Sequence, residues 1–293
     1  MAGPSGRRLA ILAAMGLMVF LVLVGLAAAL VGSRLPFGGD RVAVIPVEGV
    51  IMDARGVIEQ LSRYRDLPGV KAVVLRVESP GGGVAPSQEI YQEILKFRRD
   101  TGKPVVASLG SVAASGGYYV AAATDRIVAN PGSLTGSIGV ILQIPNLGGL
   151  LQKVGIKTTV IKAGEHKDLG SMTRDLTEGE RRILQEVMDD VHSQFVEAVA
   201  AGRRMDRARV EQLADGRIFS GRQALSIGLV DELGDLPDAI ERAGKMVGIS
   251  GRPKVIQERR SRFSLWDLVT ESLSPVLPTR GTMSPMAIQY LWQ

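Results

Sequence analysis

The chain has 293 residues, 45% hydrophobic and 22% charged, with a formal net charge of +5 at pH 7. That balance excludes a disordered tail and a multi-span transporter, and the length leaves room for one large domain or two small ones with a sizeable core. Without cysteine there are no disulfides, thiolate zinc sites, iron–sulfur clusters or cysteine nucleophile, and the two histidines, His166 and His192, do not stand at metal-ligand spacing. Hydrolytic chemistry therefore has to rest on hydroxyls, carboxylates, lysine or a single imidazole, with no metal or cofactor expected.

In chain order, Leu9 to Val31 is an uncharged run of apolar and small residues, preceded by Arg7 and Arg8 and followed by Arg34. About 20 such residues span a bilayer, and flanking basic residues favour the cytoplasmic side. Residues 1–32 thus read as a cytoplasmic stub and one transmembrane helix, with the rest of the chain extracytoplasmic. Ala27 and Ala29 also resemble a signal-peptide cleavage site, but the apolar core of a signal peptide is only about 7–15 residues long. Residues 33–40 read as a linker.

From residue 41 the pattern alternates. Arg41–Val47, Ala72–Val77, Pro104–Ser108, Arg126–Ala129 and Lys157–Lys162 read as strands; Ala54–Tyr64, Pro86–Arg99 and Ser115–Ala123 read as helices. This spacing predicts right-handed βαβ crossovers and an α/β fold. Thr177 and Glu180 have capping-box spacing at the start of a long helix that Gly202 would stop, with His192 on it as a structural or exposed residue. A shorter helix is expected over Gly221–Ile227. The folded domain is expected over 41–250 and a tail over 251–293, whose first twelve residues hold five basic residues against one acidic. Aromatic residues are only 4% of the chain, so this stretch reads as solvated near an anionic membrane surface, with no nucleic-acid partner. Met286–Trp292 is apolar and could dock on the domain, touch the membrane or occupy a substrate groove.

Three glycine- and serine-rich segments are candidates for chemistry, since ligands of open α/β sheets bind beyond the carboxyl ends of strands. Glu78 to Gly83 can turn sharply and aim backbone N–H groups at an oxygen; a plain turn is the alternative. Gly110 to Tyr119 places Ser115 at a strand-to-helix junction, where a serine is either a helix cap or a nucleophile. Asn130 to Gly139 is the third, and Ala163 to Ser171 contains Lys167, which can act as a base only with a lowered pKa.

The segments SPGGG, ASGGYY, PGSLTGSIGV, GEHKDLGS and GRIFSGRQALSIGLVDELG, in this order, resemble the signal peptide peptidase (SppA) family of Ser/Lys proteases in its short, single-catalytic-domain form. The resemblance covers about Val42 to Ile249. It implies a ClpP/crotonase-like fold, Ser115 as nucleophile, Lys167 as general base, Ser137 as the serine that orients the lysine, and the N–H groups of Gly82 and Gly116 as an oxyanion hole. It further implies a homo-oligomer with active sites shared between subunits, released signal peptides as substrates, and residence in a bacterial cytoplasmic membrane with the catalytic domain on the periplasmic side. His166 is the rival base, but it adjoins Lys167 on an extended segment and would point the other way. The rival functions are a crotonase-type acyl-CoA enzyme and a non-catalytic membrane scaffold.

Overall fold

The structure, a computed structural model, describes residues 15–24, 39–257 and 289–291. Residues up to Gly39 form a unit separate from Asp40–Gln293. In the first unit, residues 15–24 are helical (α1) and exposed. Among the described residues no helix is long and apolar enough to cross a membrane, and the rest of the Leu9–Val31 run lies outside the described residues.

The second unit is mixed α/β. Its elements are β1 (Arg41–Glu48), α2 (Arg55–Arg65), β2 (Val70–Ser79), β3 (Gly81–Gly83), α3 (Val84–Thr101), β4 (Val105–Ala114), α4 (Gly116–Ala122), β5 (Arg126–Ala129) and β6 (Leu134–Gly136). There follow α5 (Gly148–Lys153), α6 (Glu178–Arg203), α7 (Arg207–Glu211), β7 (Ile218–Ser220), α8 (Gly221–Ser226), β8 (Glu232–Leu233), α9 (Leu236–Met246), β9 (Lys254–Gln257) and β10 (Gln289–Leu291). The main sheet runs β7-β6-β4-β2-β1-β9, with β5 and then β8 continuing from β4. All its pairs are parallel except β6 with β7.

Alternation along the strands explains the two layers. Ala43, Ile45 and Val47 of β1 and Val73, Leu75 and Val77 of β2 face the larger core, where Leu61, Ile90, Ile94, Phe97 and Phe195 come from α2, α3 and α6. Val42, Val44, Ala72 and Val74 face the other way, onto Ala239 and Ala243 of α9. Strands buried on both faces are largely apolar, as in parallel sheets generally, and each valine, leucine or isoleucine among them contributes roughly 1.5–3 kcal/mol by leaving water.

β4 is longer than its apolar pattern predicts. Its first half pairs with β5 (Val106 to Leu109) and its second with β6 (Val112 to Ala114). Opposite β2 the register slips: Val77 pairs Leu109, but Ser79 pairs Ala113. At the slip Ser111 is exposed and Val112 half-buried, while the end of β4 returns to the interior and leads into α4. Lys157–Lys162, expected as a strand, is not one; all six residues are exposed and no neighbouring strand pairs with them. Gly202 does not end α6 either. The helix runs to Arg203 and stops where Arg204 turns left-handed (φ 53°), while Gly202 lies against α4, where a Cβ would stand 2.0 Å from the Ala122 carbonyl oxygen. Within the expected tail, Lys254–Gln257 forms an edge strand beside β1.

Candidate active site

Ser115 joins β4 to α4 with φ 53° and ψ −118°, a conformation that a residue with a Cβ rarely adopts. Such strain costs about 1–3 kcal/mol and persists only where the surroundings enforce it. Here the Ser115 N–H donates to the Gly136 carbonyl (2.8 Å), and its own carbonyl accepts from the Tyr119 N–H (2.8 Å). The side chain makes no helix-capping bond, so the cap role open to a serine at this junction is not taken. Ser115 is 1% exposed, and its Oγ is buried without a hydrogen-bond partner. A buried hydroxyl left unpaired costs about 1–3 kcal/mol, which marks a group held for something other than stability.

The helix behind it is locked. Tyr119 of α4 meets the ring of Tyr91 on α3 edge-on (5.0 Å between centroids) and that of Phe195 on α6 (4.9 Å). Burial pushes the Tyr119 phenol up to about 12. Tyr118 is fully buried and donates to the Leu229 carbonyl (2.8 Å).

β3 supplies the second wall. The Ser79 Oγ accepts the Gly81 N–H (3.1 Å), bending the chain at Pro80, and Gly81 takes φ 105°. The Ile51 N–H donates to the Gly81 carbonyl (2.9 Å), and the Gly83 N–H donates to the Ile51 carbonyl (2.8 Å). Gly82 is pressed so closely on this segment that a Cβ would come 2.3 Å from the Ile51 oxygen. A Cβ on Gly117 would be 2.9 Å from the Ser79 carbonyl oxygen, so the first turn of α4 sits directly on the glycine turn. Along β3 runs the backbone of residues 289–291, antiparallel, with Leu291 opposite Gly81.

Ser137 lies beside Ser115. Ala114 and Gly136 are register partners, and each serine follows its partner with a positive φ (53° and 50°). Ser137 is 6% exposed, and its N–H donates to the Arg217 carbonyl (2.9 Å). The surrounding backbone is braced by side chains: Ser133 Oγ donates to the Gly110 carbonyl (2.6 Å) and Thr135 Oγ1 to the Ala113 carbonyl (2.7 Å). Glu78 is a brace with no signal in the sequence pattern. Its carboxylate accepts the N–H groups of Ser111 (2.9 Å) and Val112 (3.1 Å), holding the slipped part of β4.

Lys167 is placed differently. It lies in a turn, its N–H donating to the Gly164 carbonyl (3.2 Å), and both it and His166 are exposed. Because the Ser115 Oγ has no partner, neither side chain is bonded to it within one chain. His192 is half-buried and its Nε2 donates to the Ala214 carbonyl (2.8 Å), a structural contact. Among the described residues no cluster of His, Asp or Glu is arranged to hold a metal ion.

Residues 97–250, which include Ser115, Ser137 and Lys167, match peptidase family S49. The chain belongs to that family. Similar proteins include a Synechocystis protein provisionally named a protease, 44% identical over 211 residues, which are 71% of this chain and 75% of that one. An Enterococcus faecium protein provisionally named signal peptide peptidase SppA is 38% identical over 218 residues, 70% of this chain and 63% of that one. Protease 4 of Haemophilus influenzae is 33% identical over 217 residues, 71% of this chain and 35% of that longer one. As an S49 protein of the signal peptide peptidase type, the chain is a serine peptidase. Gly82 lies upstream of the matched segment, in β3, which packs on α4.

Proposed function

We propose that this S49 peptidase is a membrane-tethered endopeptidase that cuts extended apolar peptides, released signal peptides among them, by a Ser115/Lys167 dyad. The observation that carries this reading is the buried, unpartnered Ser115 Oγ on a strained junction beside β3. As the Oγ attacks the substrate carbonyl carbon, its proton passes to the neutral Lys167 amine. The negative oxygen that develops is held by the N–H groups of Gly82 and Gly116. Lys167 then protonates the leaving amine, which departs and leaves an acyl-Ser115 ester. Water, giving its proton to Lys167, releases the acid and returns the proton to Ser115. Ser137, beside Ser115, is suited to orient the lysine amine by a hydrogen bond.

The backbone pairing of residues 289–291 along Gly81–Gly83 supports strand addition as the way a peptide is held. The exposure of Lys167 supports a site completed between copies of the chain. The segment that carries it exposes Leu147, Leu150, Val154, Ile156, Val160 and Ile161, the last 96% accessible, which is an apolar surface suited to burial in a homo-oligomer. The Leu9–Val31 run would tether the enzyme to the bacterial cytoplasmic membrane with its catalytic unit outside, where apolar peptides leave the bilayer. Ser115→Ala and Lys167→Ala should each lower kcat/KM on a fluorogenic apolar peptide by at least about 10⁴-fold. Near-normal turnover by Lys167→Ala would refute the dyad.

A further inference from the structure

The turn that carries Lys167 is not left loose. Asp168, the next residue, receives a hydrogen bond from the Lys162 ammonium, which also donates to the Glu165 carbonyl (2.6 Å). On its other side Asp168 accepts from Arg174, through Nε (3.2 Å) and Nη2 (2.9 Å) to Oδ2. Arg174 continues outward as a fork, Nη1 to Glu180 Oε2 (2.8 Å) and Nη2 to Glu180 Oε1 (2.5 Å), and Nη1 also donates to the Asp175 carbonyl (3.0 Å). Glu180 is the third residue of α6. Its carboxylate accepts the Thr177 N–H (2.9 Å) while its own N–H donates to Thr177 Oγ1 (3.2 Å). One carboxylate therefore closes the helix cap and grips the arginine that grips Asp168. The Glu180 side chain is almost wholly covered although the turn itself is exposed.

We propose that Asp168, Arg174 and Glu180 are positioning residues that fix the Lys167 turn to the first turn of α6, so that the amine is presented at a set height and angle. A planar guanidinium bonded to two carboxylates at once sets distance and orientation together, which a lysine cannot do. Both carboxylates stay ionised well into acid: hydrogen bonds from Arg174 hold Glu180 down to about 2, and those from Lys162 and then Arg174 lower Asp168. The clamp is therefore intact wherever the lysine can act as a base. This inference rests on the Lys167 reading above and extends it. Lys167 moves the proton, and the clamp decides where Lys167 is.

The test is steady-state kinetics of the full-length chain on a fluorogenic apolar peptide, comparing Lys167→Ala, Arg174→Ala, Arg174→Lys and Asp168→Asn. A misplaced base should lower kcat by about 10- to 100-fold in Arg174→Ala and leave KM within about twofold, since peptide binding belongs to β3. Arg174→Lys should recover only part of the loss, because it keeps the charge but cannot bridge both carboxylates. Asp168→Asn, nearly isosteric, should show the same fall in kcat, and it decides the matter if Arg174→Ala proves unstable. Wild-type kcat in Asp168→Asn, or a loss confined to KM, overturns the clamp while an inactive Lys167→Ala leaves the base assignment standing. An active Lys167→Ala overturns both.

Discussion

The regions carrying Ser115 and Lys167 are built on opposite plans. Around Ser115 the backbone is buried on every side, tied by Gly136 and Tyr119, braced by Glu78, Ser133 and Thr135, and locked by an aromatic trio. Around Lys167 the chain is exposed from Gln152 to Lys167, and its order comes from turns and a chain of ion pairs. The proposed nucleophile, held against strain, needs a rigid frame, and the sheet supplies one. The segment of the proposed base, with apolar side chains facing outward, acquires a comparable frame only by packing on something else. The proposed shared site follows from this difference, and a mixing experiment attacks it directly. Ser115→Ala and Lys167→Ala proteins, each expected to be inactive alone, are co-assembled by dissociation and reassociation. If one copy lends its lysine to the next, up to about a quarter of the sites in random mixtures regain both groups, and peptide hydrolysis returns. If each copy completes its own site, the mixture stays inactive.

The same contrast governs what could be read in advance. β1, β5, the α4 start and the capping box of α6 lie within residues of their expected places, because strand alternation and helix caps are local signals. β3 and β6 are three-residue strands, Gly-Gly-Gly and Leu-Thr-Gly, in segments that read as loops. They are strands only because neighbouring backbones pair with them, and a backbone partner leaves no mark in side-chain periodicity. Lys157–Lys162 errs in the opposite direction: its β-branched residues suit a strand, but no sheet edge reaches it. Ser115 could be picked out because it stands among small residues where a strand should give way to a helix, whereas Ser137, after a strand that reads as a loop, came only from family resemblance. Lys167 came only from family resemblance, since one exposed lysine in a polar turn looks like any other. Glu78 gave no signal, because its role depends on a register slip in β4 that propensity does not predict.

A smaller effect sharpens the rigid side of the comparison. Glycine occupies the φ 53°, ψ −118° region without a Cβ penalty, so Ser115→Gly should relieve strain and remove the orphaned hydroxyl. The expected result is a gain of about 1 kcal/mol in unfolding free energy together with loss of peptidase activity. Ser115→Ala, which keeps the Cβ, should gain less. Because glycine also loosens the unfolded chain by about 0.4–1 kcal/mol relative to alanine, a Ser115→Gly protein less stable than Ser115→Ala by that amount in denaturant titrations would mean that the backbone at residue 115 holds no strain to release.

The smallest expected effect is on the exposed side and appears with pH. The Glu180 carboxyl is held at about 2, against 4.5 ordinarily, chiefly by hydrogen bonds from Arg174. A carboxyl whose folded value is depressed binds fewer protons folded than unfolded through this interval, so its contribution is complete above about 4.5 and disappears as the pH falls towards 2. Asp168 is shifted in the same direction by Lys162 and Arg174 and should fade over an interval that begins near 3.8. Glu180→Gln cannot titrate, so the gap between its unfolding midpoint and that of the unmodified chain should be constant at neutral pH and close progressively below about 4.5. A gap that persists unchanged to pH 2 would place the value of Glu180 in its shape rather than its charge, and the joint between α6 and the Lys167 turn would then be packing, not an ion pair.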